Sequence, residues 1–161
     1  MNNHKRIILV GPGASGKDYM RKNLESRGFK YAVSYTTRPA RPGEVEGKDY
    51  YFLTQEACQE MKRTNAFYEA IDFNGWTYGT SNTQFYNDDV FIMTPSGLSH
   101  LSPEDRKNSF VIFFDIDEAI RKERLEARVM PGHSVEARLQ ADRELFEGFN
   151  DYDLKITNPD F

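Results

Sequence analysis

Short, unbroken apolar runs alternate with helically spaced apolar positions along much of this chain. Ile7-Ile8-Leu9-Val10 has the continuous hydrophobic character of a strand buried in a parallel sheet. Met20 and Leu24 follow at the i, i+4 spacing of a helix, which Gly28 is placed to end in a left-handed stop. Residues 89–94 and 109–115 repeat the buried-strand pattern, and 154–157 predict a last strand. Asp117 is placed to cap a helix through Ile120 and Leu125, and Ser134 one through Leu139 and Phe146. Strands separated by helices predict an α/β fold: a parallel sheet flanked by helices, with ligands at the C-terminal ends of the strands.

Residues 34–81 have a different texture. Phe67-Tyr68-Glu69-Ala70-Ile71-Asp72-Phe73 is strand-like, and Asn74-Gly75 is a two-residue hairpin turn leading into Trp76-Thr77-Tyr78. An inserted, partly antiparallel segment is expected here.

Between the first strand and the first helix lies Gly11-Pro12-Gly13-Ala14-Ser15-Gly16-Lys17-Asp18. Glycines at this point let successive backbone N–H groups face phosphate oxygens. Lys17 adds a cation, and the helix presents its positive N-terminal end to the same anion. The usual motif ends Gly-Lys-Ser/Thr, with the hydroxyl on magnesium, whereas Asp18 follows the lysine here.

At 161 residues the chain fits one domain, and its net charge of −4 argues against a surface for polymeric nucleic acid or anionic lipid. Cys58 is the single cysteine, so no intramolecular disulfide forms and a reducing compartment is the simplest setting. It reads as a small buried hydrophobe sharing a helical face with Met61. No apolar stretch approaches the ~20 residues that cross a bilayer. A cytoplasmic protein without membrane partners is expected.

The insertion opens Ser34-Tyr35-Thr36-Thr37-Arg38-Pro39-Ala40-Arg41-Pro42-Gly43-Glu44 and continues through Gly47-Lys48-Asp49-Tyr50-Tyr51-Phe52. Arg38 and Arg41 flank a proline in a segment too constrained for a regular helix, and guanidinium forks suit bidentate contact with a phosphate. With the glycine loop, Phe67-Tyr68-Glu69, Tyr78-Gly79-Thr80-Ser81, the arginine-bearing helices and Ile156-Thr157-Asn158, this ordered series resembles the guanylate kinase family across nearly the whole chain.

That resemblance implies a P-loop-type core (1–33 and 83–161), a nucleoside-monophosphate-binding insertion (34–82) and a mobile lid (about 124–138). It implies transfer of the γ-phosphoryl of ATP to GMP or dGMP, with Mg²⁺ accompanying ATP. Gly11 to Asp18 and Asn158 would bind ATP. Ser34, Arg38, Arg41 and Tyr50 would hold the acceptor phosphate, and Glu69, Tyr78 and Thr80 would surround the base. Glu69 carries the specificity argument: a carboxylate accepts two hydrogen bonds, guanine offers adjacent donors at N1 and its 2-amino group, and adenine has no such pair. Arg124, Arg128 and Arg138 match lid arginines that stabilise charge on the transferring group alongside Lys17. Arg121 shares a helical face with Arg124 and Arg128 by spacing. Val129-Met130-Pro131-Gly132-His133 has the breakers of a mobile loop.

Three positions depart from the family pattern. Asp18 replaces a hydroxyl, Thr94 replaces an aspartate, and the sequence ends at Phe161, short of a final helix. Asp18 and Thr94 together form the expected metal position, with their roles exchanged. A kinase for another base, and a catalytically weak binding module of the same fold, stay open beside the guanylate kinase reading.

Overall fold

The computed structural model describes residues 5–128 and 134–161. The proposed lid loop, 129–133, lies outside the described residues.

Four parallel strands form the main sheet: β1 (Arg6–Val10), β6 (Val90–Ile92), β7 (Ser109–Phe114) and β8 (Leu154–Ile156), in the order β6-β1-β7-β8. Side chains alternate across a strand, so the continuous run in β1 divides between two cores. Ile8 and Val10 pack on one face with Phe91, Val111 and Phe85, while Leu9 packs on the other with Val90, Ile112 and Phe114. All of these except Ile112 are at most 1% exposed, which explains why the strands read as apolar runs and not as alternating patterns.

Helix α1 (Lys17–Ser26) covers the second face through Met20 and Leu24 and ends before Gly28, whose φ is 94°. Helices α6 (Glu118–Ala127) and α7 (Val135–Phe146) are capped as predicted: Ala119 N–H donates to Asp117, and Ala137 N–H to Ser134 Oγ.

A second sheet, in the order β3-β2-β5-β4, is built from β2 (Tyr35–Thr36), β3 (Tyr51–Phe52), β4 (Phe67–Phe73) and β5 (Trp76–Ser81). The β4–β5 pairing is antiparallel and closes at Phe73 opposite Trp76, with Asn74 and Gly75 at φ 52° and 80°, the positive-φ pair that a tight hairpin needs. A bulge between Phe67 and Glu69 was not legible from the sequence pattern. It lets Tyr68 stack on Phe85 of α3 (Asn82–Asn87), ring centroids 3.6 Å apart, while Glu69 pairs with Thr80. The Tyr68 hydroxyl also donates to Asp105 at 2.6 Å. This aromatic and polar anchor fixes β4 to the main domain, and with it the neighbouring Glu69.

Cys58 is buried on α2 (Gln55–Arg63), as its type predicts. No helix among the described residues is long and apolar enough to cross a membrane.

Candidate nucleotide site

The glycine loop lies at the C-terminal end of β1 and runs into α1. Ala14 and Gly16 adopt φ of 61° and 102°. At Gly16 a side chain would be strained by the backbone and would meet the Phe161 ring, 2.6 Å from its Cζ. Lys17 donates its Nζ to the Gly11 carbonyl across the loop. Burial and the nearby positive Arg138 bring its pKa down from 10.5 to about 8, against the opposing charges of Asp142 and Asp18. A desolvated ammonium inside a loop of amides is poised for an anion.

Two helices from the far end of the chain fasten onto this loop. Arg124 donates to the Ala14 carbonyl and to the Pro159 carbonyl, both at 3.0 Å. Arg138 covers Gly13 so closely that a Cβ there would lie 2.9 Å from its guanidinium. Arg138 Nε is buried without a hydrogen-bond partner among the described residues. Arg128 is exposed at the end of α6. Arg121 turns inward: it is buried, donates from Nε to the Ile116 carbonyl and stands 3.8 Å from Asp142. The shared helical spacing of Arg121, Arg124 and Arg128 therefore conceals three environments. Asn158 is exposed near the loop's Pro159 contact and accepts from Asp160 N–H.

The insertion presents Arg38, 7% exposed, donating to both carboxylate oxygens of Glu44 at 2.8 and 2.9 Å. This pairing holds the Arg38 pKa well above its ordinary value. Glu44 also accepts from the Arg41 backbone N–H, so one carboxylate organises both arginine positions. Burial, with the positive charges of Arg38 and Arg138, lowers the Arg41 pKa. The Arg138 charge is thus felt at Arg41, and an anion bound between like charges of this kind would be favoured. The Arg38 guanidinium lies 5.2 Å from the centre of the Tyr50 ring, and Tyr50 packs edge-on against Tyr78 at 6.0 Å. Ser34 is tied to β3 by its backbone, its carbonyl accepting from Tyr51 N–H at 2.9 Å.

Glu69 and Thr80 face each other from β4 and β5, Thr80 Oγ1 donating to Glu69 Oε1 at 3.0 Å. Burial raises the Glu69 pKa above the ordinary carboxylate value, and the Thr80 hydrogen bond opposes that rise. Glu69 Oε2 is turned toward Gly97 of α4 (Pro95–Leu98).

At the expected metal position, Asp18 is exposed and accepts from Arg21 at 3.3 Å. Thr94 caps α4 through Gly97 N–H at 3.0 Å.

A family model described as guanylate kinase matches residues 3–161. The chain belongs to the guanylate kinase family. Members of this family are nucleoside monophosphate kinases. Guanylate kinase of Nostoc sp. is 30% identical over 170 residues, covering 98% of this chain and 83% of the relative. The guanylate kinase of Lactococcus lactis subsp. lactis is 32% identical, covering 94% of this chain and 78% of its own. In fold, the chain is similar to the crystal structure of guanylate kinase from Anaplasma phagocytophilum, with a TM-score of 0.71 at 24% identity over 96% of this chain.

Within this guanylate kinase framework, the sequence motifs did not single out Glu44 or Asp142. Glu44 was readable as the third residue after Arg41, inside the most specific block. Asp142 carries only its i+4 spacing from Arg138 as a signal, and that spacing is common on any helix.

Proposed function

We propose that this protein transfers the γ-phosphoryl of ATP to GMP or dGMP. The observation that carries the base assignment is the buried Glu69 carboxylate, whose one hydrogen bond among the described residues comes from Thr80. Its remaining acceptor capacity matches the adjacent N1 and 2-amino donors of guanine. Adenine would leave that buried capacity unpaired, a cost that supports strong discrimination.

In this reading the glycine loop, Lys17 and Arg124 hold the triphosphate, with Asn158 near its base. Arg38, Arg41, Tyr50 and Ser34 hold the acceptor phosphate, and Tyr78 and Thr80 complete the base site with Glu69. An acceptor phosphate oxygen attacks the γ-phosphorus in line as the bond to the β-phosphate oxygen breaks. Positioning and charge balance by Lys17, Arg124, Arg128 and Arg138 supply the catalysis, and no general base is required.

The donors present fit a magnesium ion carried mainly by the nucleotide's own oxygens. Asp18 offers an exposed carboxylate whose charge reaches Lys17, and the Thr94 hydroxyl takes a subsidiary part. Bound there, magnesium would neutralise charge on the transferring phosphates. A cytoplasmic setting completes the reading.

A coupled ADP-release assay with GMP, dGMP, AMP, dTMP and CMP tests it. GMP or dGMP should turn over fastest. Faster use of another base would reassign Glu69, and no turnover with any of them would support a binding module.

A further inference from the structure

The carboxylate of Asp142 occupies a position that the proposed function reserves for phosphate. Its Oδ2 accepts the Gly13 N–H at 3.0 Å, inside the glycine loop, and the residue is only 5% exposed. The surrounding groups are those expected around a phosphate oxygen. Arg121 stands 3.8 Å from the same oxygen, Lys17 senses the Asp142 charge, and Arg138 lies over Gly13 one helical turn earlier on α7.

We propose that Asp142 is a built-in occupant of the phosphate-binding loop, an anion that the phosphates of ATP must displace from Gly13 before they bind. The proposal rests on reading the loop as the ATP phosphate site.

A single carboxylate carries less charge and fewer acceptor oxygens than a triphosphate, so ATP wins the exchange. Its apparent affinity is nevertheless reduced by the population of the occupied loop. Arg138 and Asp142 share α7, so releasing Asp142 loosens the helix that carries a proposed catalytic arginine. Phosphate arrival at the loop would thereby be coupled to motion of α7. Asp142, together with the charge of Asp18, offsets the repulsion that Arg138 and Arg121 exert on Lys17.

The test is calorimetric binding of Mg-ATP and, separately, of inorganic tripolyphosphate at pH 7, using the unmodified protein, Asp142→Asn and Asp142→Ala. Asparagine keeps an acceptor for Gly13 N–H while removing the charge, which protects the fold. Both probes should bind about tenfold more tightly to the variants, with GMP affinity unchanged. Unchanged or weaker anion binding by both variants, while the unmodified protein binds ATP, overturns the proposal and leaves the functional reading standing. Failure of the unmodified protein to bind either probe overturns both. In the unmodified chain, the ¹³C carboxyl resonance of Asp142 should move on adding tripolyphosphate, as loss of its hydrogen bond from Gly13 N–H requires. An unmoved resonance also overturns the proposal.

Discussion

Glu69 Oε2 lies 2.9 Å from the point where a Cβ on Gly97 would stand. The glycine gives the carboxylate room between β4 and α4, and any larger residue must push it aside. Gly97→Ala is a favourable exchange for a helix by roughly 1 kcal/mol, so folding should change little while the base site is disturbed. The KM for GMP should rise about tenfold with the KM for ATP unaltered. An unchanged KM for GMP would separate Glu69 from base recognition.

Removing the Glu69 charge should stabilise the ligand-free protein while impairing it. Burial raises the Glu69 pKa, so the ionised form is the penalised one. That penalty is present at neutral pH and vanishes as pH falls below the ordinary carboxylate value. Glu69→Gln should therefore unfold at a higher temperature than the parent at pH 7, yet lose tenfold or more in kcat/KM for GMP. At pH 3 the stability gain should disappear. A variant less stable than the parent at pH 7 would refute this account.

Lys17 should set the alkaline limb of ATP use. Its pKa, lowered to about 8 by burial and Arg138, belongs to the protein without nucleotide. A bound triphosphate favours the ammonium, so ATP binding takes up protons near pH 8 and weakens as pH rises through that value. kcat/KM for ATP should fall above pH 8, with the corresponding limb in kcat displaced to higher pH. Calorimetry in buffers of different ionisation enthalpy should detect the proton uptake. Lys17→Ala should abolish nearly all transfer with an unchanged circular dichroism spectrum.

The Asp18 and Thr94 exchange is testable through magnesium dependence. Asp18→Ala should raise the magnesium concentration needed for half-maximal activity. Asp18→Ser should be poor alone and should recover when combined with Thr94→Asp. Strictly additive losses in the double variant would show that the two positions do not act together.

The sequence by itself determined the parallel sheet, the glycine loop, the hairpin at Asn74-Gly75 and the caps at Asp117 and Ser134. Each is written in neighbouring residues: an apolar run needs burial on both faces, positive φ favours Asn-Gly, and a cap lies within three residues of the amide it satisfies. The resemblance through residues 34–52 and the lid helices likewise named most candidate residues. Tertiary structure alone decided what those side chains meet. Arg121, Arg124 and Arg128 share a spacing but reach Ile116, Ala14 and the exposed end of α6, respectively. The bulge beside Tyr68 aligned Glu69 with Thr80, and helix docking brought Asp142 to Gly13 across 129 positions of chain. A helical period specifies which way a side chain leaves its own helix. The partner it meets depends on how distant elements pack, and no local pattern encodes that.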